Sequence, residues 1–148
     1  MHSKVLATLL TALAYCQPTM AQRFESPEAA LAEHIAAYQA RDVPRFLDSI
    51  DFDQEAREQL LAKHGAGTHL ENSDVHKLAQ SLRDGLATHF AKFSFRAGTF
   101  DNCRPVTKFQ DSESAVRLVL SCNDPRGATV FPVRVLRFSD GWQVVRGG

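Results

Sequence analysis

The chain has 148 residues, and its 17 lysines and arginines balance its 17 aspartates and glutamates, so the formal net charge is zero at pH 7. This balance excludes a strongly basic surface of the kind that binds nucleic acid or acidic lipid. The length suits one small domain, and beyond the N-terminal segment the sequence has no apolar run long enough to span a membrane.

The N-terminal segment has the features of a secretory signal peptide. Lys4 gives it a short basic start, and the run from Val5 to Tyr15 is apolar apart from two threonines. Thr19 and Ala21 are small residues at the positions that signal peptidase requires, and the run is too short to cross a bilayer. The sequence therefore predicts a signal peptide over residues 1–21, cleaved after Ala21.

Cleavage would leave residues 22–148 as a single domain in the periplasm or outside the cell. Its net charge would be −1, because Lys4 is the one formal charge removed from a neutral chain. Two other interpretations are less favoured. The N-terminal run could form a buried helix, or a lipid on Cys16 could anchor the protein, although Tyr15 stands where a lipoprotein signal has a small residue.

The mature sequence opens with the pattern of a helix. Ser26 is a good N-cap, Pro27 suits the first helical position and Glu28 suits the positive first turn. This helix should end near Arg41. Its apolar stripe at helical spacing consists of Leu31, Ile35 and Tyr38.

Three more helices are predicted in the N-terminal two thirds of the chain. A short one has Pro44 in its first turn, a third is opened by Asp53 and closed by Gly65, and a fourth is capped by Asn72 or Ser73. The residues that the short helix should bury are Phe46, Leu47 and Ile50. The apolar side of the fourth helix consists of Val75, Leu78, Leu82, Leu86 and Phe90.

From Phe93 onwards the pattern changes from helical spacing to alternation, which indicates strands. The segment FSFRAGTF, residues 93–100, is the first strand expected. The last hairpin joins ATVFPVRVLRF to WQVV through the turn Ser139–Gly141. Pro132 indicates an edge position or a bulge, because proline cannot donate to a central ladder.

The stretch CRPVTKFQDSESAVRLVLSC, from Cys103 to Cys122, predicts a further hairpin with a two-residue turn at Ser112–Glu113. Side chains alternate between the two faces of a strand, so the turn fixes which residues oppose each other. The expected pairs are Asp111–Ser114, Phe109–Val116, Thr107–Leu118, Pro105–Leu120 and Cys103–Cys122 on one face, and Lys108–Arg117 on the other. This register buries Phe109 and brings the cysteines within reach of a disulfide.

A structural disulfide is the favoured interpretation of Cys103 and Cys122, because they are the two cysteines left after export to an oxidising compartment. Zinc would need about four ligands with close cysteine or histidine pairs, and a redox motif would need C-x-x-C. Neither pattern occurs in the sequence. We therefore expect no metal site and no cofactor.

Helices followed by antiparallel strands predict an α+β fold, with N-terminal helices packed on one face of a curved sheet. The segments SPEAALAEHIAAYQARDVPRFLDSI and VFPVRVLRFSDGWQVV resemble the beginning and end of the nuclear transport factor two-like superfamily, which includes the SnoaL-like cyclases and ketosteroid isomerase. The resemblance spans most of the mature chain. It implies a cone, in which a bent sheet wraps around a long helix and leaves a pocket open at one end. The alternative is a cystatin-like sheet and helix without a usable pocket.

The resemblance implies no single activity, since this fold hosts enzymes, binding modules and subunits of complexes. Catalysis in it usually needs a pocket carboxylate or histidine with a shifted pKa. Asp101, Asp111 and Glu113 are expected in turns or loops, so no catalytic residue is predicted. The candidates for lining a ligand pocket are His34, Tyr38, His89 and Trp142.

The favoured hypothesis is therefore a secreted or periplasmic, non-catalytic domain. It would bind a small apolar ligand or a protein partner through the cone pocket or the sheet face, and a homodimer through the sheet face is compatible with it. The alternative is a small SnoaL-like lyase, isomerase or hydrolase. Polar groups that converge at the bottom of a deep pocket would favour the enzyme, whereas an apolar or filled cone would favour binding.

Overall fold

The computed structural model describes residues 23–93, 100, 102–124 and 127–146. Four helices precede four strands, which confirms the predicted α+β class. They are α1 (Pro27–Gln39), α2 (Val43–Asp48), α3 (Phe52–His64), α4 (Asn72–Phe93), β1 (Cys103–Ser112), β2 (Ala115–Asp124), β3 (Gly127–Phe138) and β4 (Gly141–Val145). The predicted signal peptide lies outside the described residues. Within the described ranges, no helix combines the length and the apolar character needed to cross a membrane.

The first two helices begin as the sequence predicts. The Ser26 hydroxyl accepts a hydrogen bond from the backbone N–H of Ala29 at 3.1 Å, and Pro27 follows it at the first helical position. At the start of α2, the Asp42 carboxylate accepts from the backbone N–H of Arg45 at 3.2 Å. Both caps satisfy amide groups that a helix would otherwise leave without a partner.

The N-cap of α3 differs from the prediction. The helix begins at Phe52, and the carboxylate of Asp51 accepts from the backbone N–H of Gln54 at 2.7 Å. Asp53, the predicted opening residue, lies inside the first turn instead. Asp51 has the extended backbone that a cap requires, with φ −86° and ψ 93°. The predicted end at Gly65 is confirmed, and its φ of 103° is a conformation that glycine adopts at little cost.

The fourth helix begins at Asn72, so this residue lies in the first turn, where its side-chain oxygen accepts from Arg57 at 3.1 Å. The helix ends at Phe93, the residue at which the sequence pattern places the start of a strand. Phe93 follows Phe90 by three positions, so it also fits the helical spacing of the apolar stripe. The rest of the strand predicted at 93–100 falls on residues 94–99, which lie outside the described ranges.

The four strands form one antiparallel sheet in the order β1-β2-β3-β4. β4 pairs with residues 134–138 of β3. Pro132 pairs with Val119 on β2 and lies beyond the reach of β4, so its missing N–H removes no ladder bond to β4. β3 is an interior strand of the sheet, so of the predicted edge position or bulge, the edge position holds only locally, beside the described part of β4.

The outer edge of β4 is covered by segments from the N-terminal half of the chain. Phe24 and Trp142 exchange two backbone hydrogen bonds, at 2.9 and 2.7 Å. Ile50 forms a parallel bridge with Val144, and Asp51 donates its N–H to the Val144 carbonyl at 2.9 Å. These contacts fix the junctions before α1 and before α3 to the sheet.

The β1–β2 hairpin keeps the disulfide end of the predicted register and changes the rest. The turn lies at Glu113–Ser114, so the predicted turn at Ser112–Glu113 is wrong. Cys103 pairs with Cys122 and Pro105 with Leu120, as predicted. Register shifts between Pro105 and Thr107, and again near Asp111, displace the pairs between them by one residue. The observed pairs there are Thr107–Val119, Lys108–Leu118, Phe109–Arg117 and Gln110–Val116, and Ser112 pairs with Ala115 beside the turn. The predicted pairs Asp111–Ser114, Phe109–Val116, Thr107–Leu118 and Lys108–Arg117 are therefore wrong.

A shift of one residue moves side chains to the opposite face of the sheet. Phe109, which the sequence pattern places in the core, is 51% exposed on the face away from α1. Lys108 moves to the helix side and reaches Glu28 on α1, at 2.7 Å. The alternation of apolar and polar residues could not predict the two bulges. Each bulge adds one residue to β1, and the sequence pattern does not distinguish this residue from its neighbours.

The predicted disulfide between Cys103 and Cys122 is confirmed, with a Cα–Cα distance of 4.0 Å. It staples β1 to β2 at the end of the hairpin that is remote from the turn. Closing a loop of this length is worth about 3 kcal/mol in the chain-entropy model.

Two hydrophobic clusters form the core. The first joins α1 to the inner face of the sheet and contains Ala30, Leu31, Val116, Leu118, Leu120, Cys122, Val135 and Val144. The second joins the four helices to one another and contains Ala37, Phe46, Leu47, Ile50, Phe52, Ala56, Val75 and Ala79. α1 contributes to both clusters, so it is the element that connects the sheet to the other helices.

Candidate functional site

A groove runs between α1 and the β1–β2 hairpin. α1 packs over β3 and β4, so its side nearest β1 borders this groove rather than a strand. The groove has a volume of about 270 Å³, just under the range of about 300–1,000 Å³ that is usual for small-molecule sites. Its lining residues are Glu28, Leu31, Ala32, Ile35, Ala36, Gln39, Pro105 and Leu118.

The walls of the α1–β1 groove are apolar and its two ends are polar. The six α1 residues in the lining follow helical spacing over the whole helix, and the two polar ones, Glu28 and Gln39, are the first and the last of them. Glu28 binds Lys108 of β1 with an oxygen–nitrogen distance of 2.7 Å. Gln39 donates its side-chain N–H to the carbonyl of Phe100 at 3.0 Å. The groove is therefore bridged at both ends by polar contacts.

The bridge at the Glu28 end is an ion pair. The hydrogen bond from Lys108 lowers the pKa of the Glu28 carboxyl below its ordinary value. Both side chains are about half exposed, at 51% and 46%, so this pair contributes little to stability. Lys108 does not itself line the groove, but the pair places its ammonium group beside Glu28, the lining residue at one end.

His34 lies on α1 outside the groove. It is 6% exposed, and its ring lies against Phe46 with centroids 4.5 Å apart. Its Nδ1 is 2.8 Å from the Ser49 hydroxyl oxygen, and Ser49 donates to the Phe46 carbonyl at 2.6 Å. Because a hydroxyl carries one proton, Ser49 must accept from His34. The neutral imidazole therefore carries its proton on Nδ1.

This direction of hydrogen bonding excludes His34 and Ser49 as a catalytic pair. An activated serine donates its proton to the histidine that serves as base, whereas Ser49 donates to a carbonyl and is fully buried. Burial lowers the pKa of His34 from 6.5 to about 4, with a smaller contribution from the charge of Arg146. The imidazole is neutral at pH 7 and connects α1 to the end of α2.

Tyr38 belongs to an aromatic cluster one turn further along α1. Its ring makes edge-to-face contacts with Phe46, Phe90 and Phe100, at centroid distances of 5.5, 6.0 and 4.8 Å. His89 is exposed and packs against Phe90 at 5.7 Å. Of the four residues predicted to line a pocket, the structure thus brings His34, Tyr38 and His89 to one aromatic region.

Trp142, the fourth predicted residue, lies elsewhere. It is the second residue of β4, is partly buried and packs against the first core cluster. Its backbone is held by Phe24. The lining of the α1–β1 groove is made of other residues than these four.

Buried polar side chains join the start of α3 to β4. Asp51 and Glu55 are 5% and 7% exposed. Asp51 pairs with Arg23 at 2.9 Å, and Glu55 pairs with Arg146 at 3.1 Å. Gln143 donates to the backbone carbonyl of Asp48 at 3.0 Å. Each of these side chains has a structural partner, although the buried Oε1 of Gln143 accepts no hydrogen bond from any residue that the structure describes. The described residues contain no cluster of three or more histidine, cysteine, aspartate or glutamate side chains that could hold a metal ion.

Two further surfaces differ from the groove in their chemistry. The outer face of the sheet exposes Phe109 and Val130, at 51% and 61%. Arg117 lies over the Phe109 ring and pairs with Asp111 at 2.6 Å. A second groove, between α3 and α4, has a volume of about 480 Å³. Its lining combines five polar residues with two leucines: Gln59, Lys63, Asp74, Lys77 and Ser81, with Leu60 and Leu78.

The sequence contained a signal for the α1–β1 groove that the predicted stripe did not use. Ala32 and Ala36 each follow a residue of that stripe, Leu31 and Ile35, and so widen the apolar side of the helix. A helix whose apolar surface is wider than its packing partner leaves part of that surface to border a gap. The role of Lys108 could not be found in this way, since the bulge alone turns its side chain toward α1.

Comparison with known proteins gives one distant structural likeness. No protein family model and no curated protein matches the chain. A crystal structure from Campylobacter jejuni, named as an NTF2-like transpeptidase, aligns with 82% of this chain and 100% of its own, with 13% identity and a TM-score of 0.46. Its name contains the fold type that the sequence resembles. Identity and TM-score at these levels transfer neither a family nor an activity to this chain.

Proposed function

We propose that this chain is a non-catalytic, extracytoplasmic domain that binds a small apolar ligand in the groove between α1 and β1. The observation that carries the proposal is the groove itself, whose walls are apolar and whose ends are polar. Ligand sites in proteins commonly combine such walls with a few polar groups that orient the ligand. The resemblance to nuclear transport factor two-like proteins supports a binding role without assigning a ligand.

A location outside the cytoplasm is supported by two features. The N-terminal sequence has the pattern of a cleaved signal peptide, and Cys103 and Cys122 are placed for a disulfide, which persists in oxidising compartments. Intact-mass measurement of the exported protein tests this part of the proposal. A chain that starts at Gln22 supports it, whereas an unprocessed chain that starts at Met1 contradicts it. A lipid-modified chain that starts at Cys16 would contradict cleavage after Ala21.

The absence of catalysis is supported by the site chemistry. A small lyase, isomerase or hydrolase would need polar groups that converge on a substrate in an open pocket. The groove walls instead carry alkyl side chains, such as Leu31, Ile35 and Leu118. The buried His34 is hydrogen-bonded to Ser49, and the Ser49 hydroxyl donates to the backbone carbonyl of Phe46.

Ligand binding is tested by filling the groove. Ala32 lies in the lining and is exposed, so Ala32→Phe places a ring in the groove without disturbing the core. Ala62→Phe makes the same change at an exposed site on α3 and is the matched control. Calorimetric titration with decanol and with naphthalene should show that the wild type and the control bind at least one probe. The Ala32 variant should bind it about tenfold more weakly.

Two outcomes would contradict the proposed site. If neither decanol nor naphthalene binds to the wild type, the groove is not a site for small apolar ligands. If Ala32→Phe binds as tightly as Ala62→Phe, the ligand occupies another surface. Circular dichroism of both variants verifies that the helices are intact.

We also propose that two copies can associate through the outer face of the sheet, as the exposure of Phe109 and Val130 favours. An exposed apolar patch on a sheet face marks an interaction surface when its side chains are contiguous, and Phe109 and Val130 are the side chains that a second copy would have to cover together. Arg117 on this face pairs with Asp111, so this arginine adds no unpaired charge that would repel a second copy. Sedimentation equilibrium should detect a dimer that Phe109→Ser weakens. A monomer at all concentrations would contradict this second proposal.

A further inference from the structure

We infer that the ligand of the α1–β1 groove is a single unbranched hydrocarbon chain that ends in a carboxylate, with the carboxylate bound to Lys108. This inference rests on the proposed function and specifies the ligand class. It depends on three properties of the groove: its length, its width and the charge at one end.

The length follows from the lining of α1. The residues that face the groove begin at Glu28 and end at Gln39, eleven positions apart. A helix rises 1.5 Å per residue, so the groove is about 16 Å long. The bridges Glu28–Lys108 and Gln39–Phe100 mark its two ends. An extended polypeptide that runs through the groove would have to break both bridges, whereas a hydrocarbon chain no longer than the groove lies between them.

The width follows from the volume. A volume of about 270 Å³ spread over this length describes a groove that is longer than it is wide. A space this narrow and this long fits one polymethylene chain better than a fused ring system, which is short and wide. The floor is formed by Leu31 and Leu118, both 2% exposed, and therefore offers a dry alkyl surface. Each methylene that leaves water for such a surface contributes favourably to binding.

The charge at the Glu28 end selects the head group. Lys108 has three N–H donors, and the hydrogen bond at 2.7 Å to Glu28 uses one of them. The remaining donors can bind a second carboxylate. Glu28 is a like-charged neighbour of any such ligand, so it weakens the binding of an anion while it holds Lys108 in place. Removing the charge of Lys108 should therefore weaken carboxylate binding, whereas removing the charge of Glu28 should strengthen it.

The opposite end is less suited to a charged group. The side chain of Gln39 is engaged with the Phe100 carbonyl. Phe100 itself packs against Tyr38 and Phe131, at 4.8 and 5.8 Å. The terminal methyl group of the ligand should therefore point toward Phe100 and its carboxylate toward Lys108.

The test compares decanoate with decanol and with naphthalene on the full mature chain. Wild-type protein should bind decanoate about threefold more tightly than decanol, because the exposed ion pair adds little energy. Lys108→Met should remove this preference and leave decanol binding unchanged. Glu28→Gln should strengthen decanoate binding, by about twofold. Lys92→Met, a change at an exposed lysine of α4 outside both grooves, is the matched control and should alter the binding of neither ligand.

The outcomes separate the inference from the proposed function. Tight binding of naphthalene with weak binding of both linear probes overturns the inference. The same result still supports the proposed function, a site for small apolar ligands in the α1–β1 groove. Equal binding of decanoate and decanol that does not respond to Lys108→Met overturns the assignment of the head group. Failure of all three probes overturns the proposed function itself. Equal binding of decanoyl lysophosphatidylcholine and decanoate shows that the chain of a lipid is accepted, and overturns the requirement for a carboxylate.

Discussion

At the scale of single residues, His34 shows how burial decides a role that the sequence leaves open. The sequence places a histidine beside an apolar stripe, which suits both a pocket rim and a core position. The structure buries its ring against Phe46 and fixes its proton through Ser49. Those contacts come from α2, and no local pattern on α1 contains them. The position of His34 was therefore predictable, while its hydrogen bonding was not.

The depressed pKa of His34 predicts a pH dependence of stability. The folded state holds the imidazole neutral down to about pH 4, whereas the unfolded chain takes up a proton near pH 6.5. Between these values the unfolded state binds more protons, so stability falls as the pH falls. The shift corresponds to about 3 kcal/mol lost by pH 4.

Urea unfolding of the wild type and of His34→Gln, at pH 7 and at pH 4.5, measures this loss. Glutamine can still donate to Ser49 but does not titrate. The acidic groups of both proteins titrate alike, so the difference between them isolates His34. The wild type should lose more stability than the variant on acidification. An equal loss in both proteins would show that His34 is protonated in the folded state.

At the scale of elements, the helices follow the sequence closely and the β1–β2 hairpin follows it only in part. Helix caps depend on residues within one turn, so Ser26 and Gly65 could be identified from the sequence. Strand register depends on the whole hairpin, and two bulges displaced its middle while the disulfide end stayed in place. For this reason Phe109 lies outside the core in which it was predicted, and Lys108 lies on the side of the sheet that faces α1.

The corrected cap of α3 provides a paired prediction. Asp51→Ala removes the acceptor for the Gln54 N–H and the partner of Arg23, and should lower the free energy of unfolding by about 1–3 kcal/mol. Asp53→Ala changes an exposed first-turn residue, with 62% of its side chain accessible, and should change it by less than about 0.5 kcal/mol. Thermal or urea unfolding of both variants and of the wild type measures the two losses of stability. A larger loss for Asp53→Ala would restore that residue as the cap.

At the scale of the whole molecule, the order of helices and strands was predictable and the binding surface was not. Class and order follow from periodicity and turn residues, which are local. The groove exists because α1 is positioned over β3 and β4 and leaves its other side beside β1. That position is set by both core clusters together, through residues as distant in sequence as Leu31 and Val144. The predicted pocket residues therefore lie around the aromatic region and in β4 instead of in the groove.

The most direct test of ligand binding in the α1–β1 groove is methyl chemical-shift mapping of the mature protein during titration with decanol. Binding in the groove should shift the methyl signals of Leu31, Ala32, Ile35, Ala36 and Leu118 most strongly, since these residues line it. Shifts confined to Val130 would assign the ligand to the outer face of the sheet. Shifts confined to the methyl groups around His34 and Phe46 would assign it to the aromatic region, and either result would contradict binding in the groove.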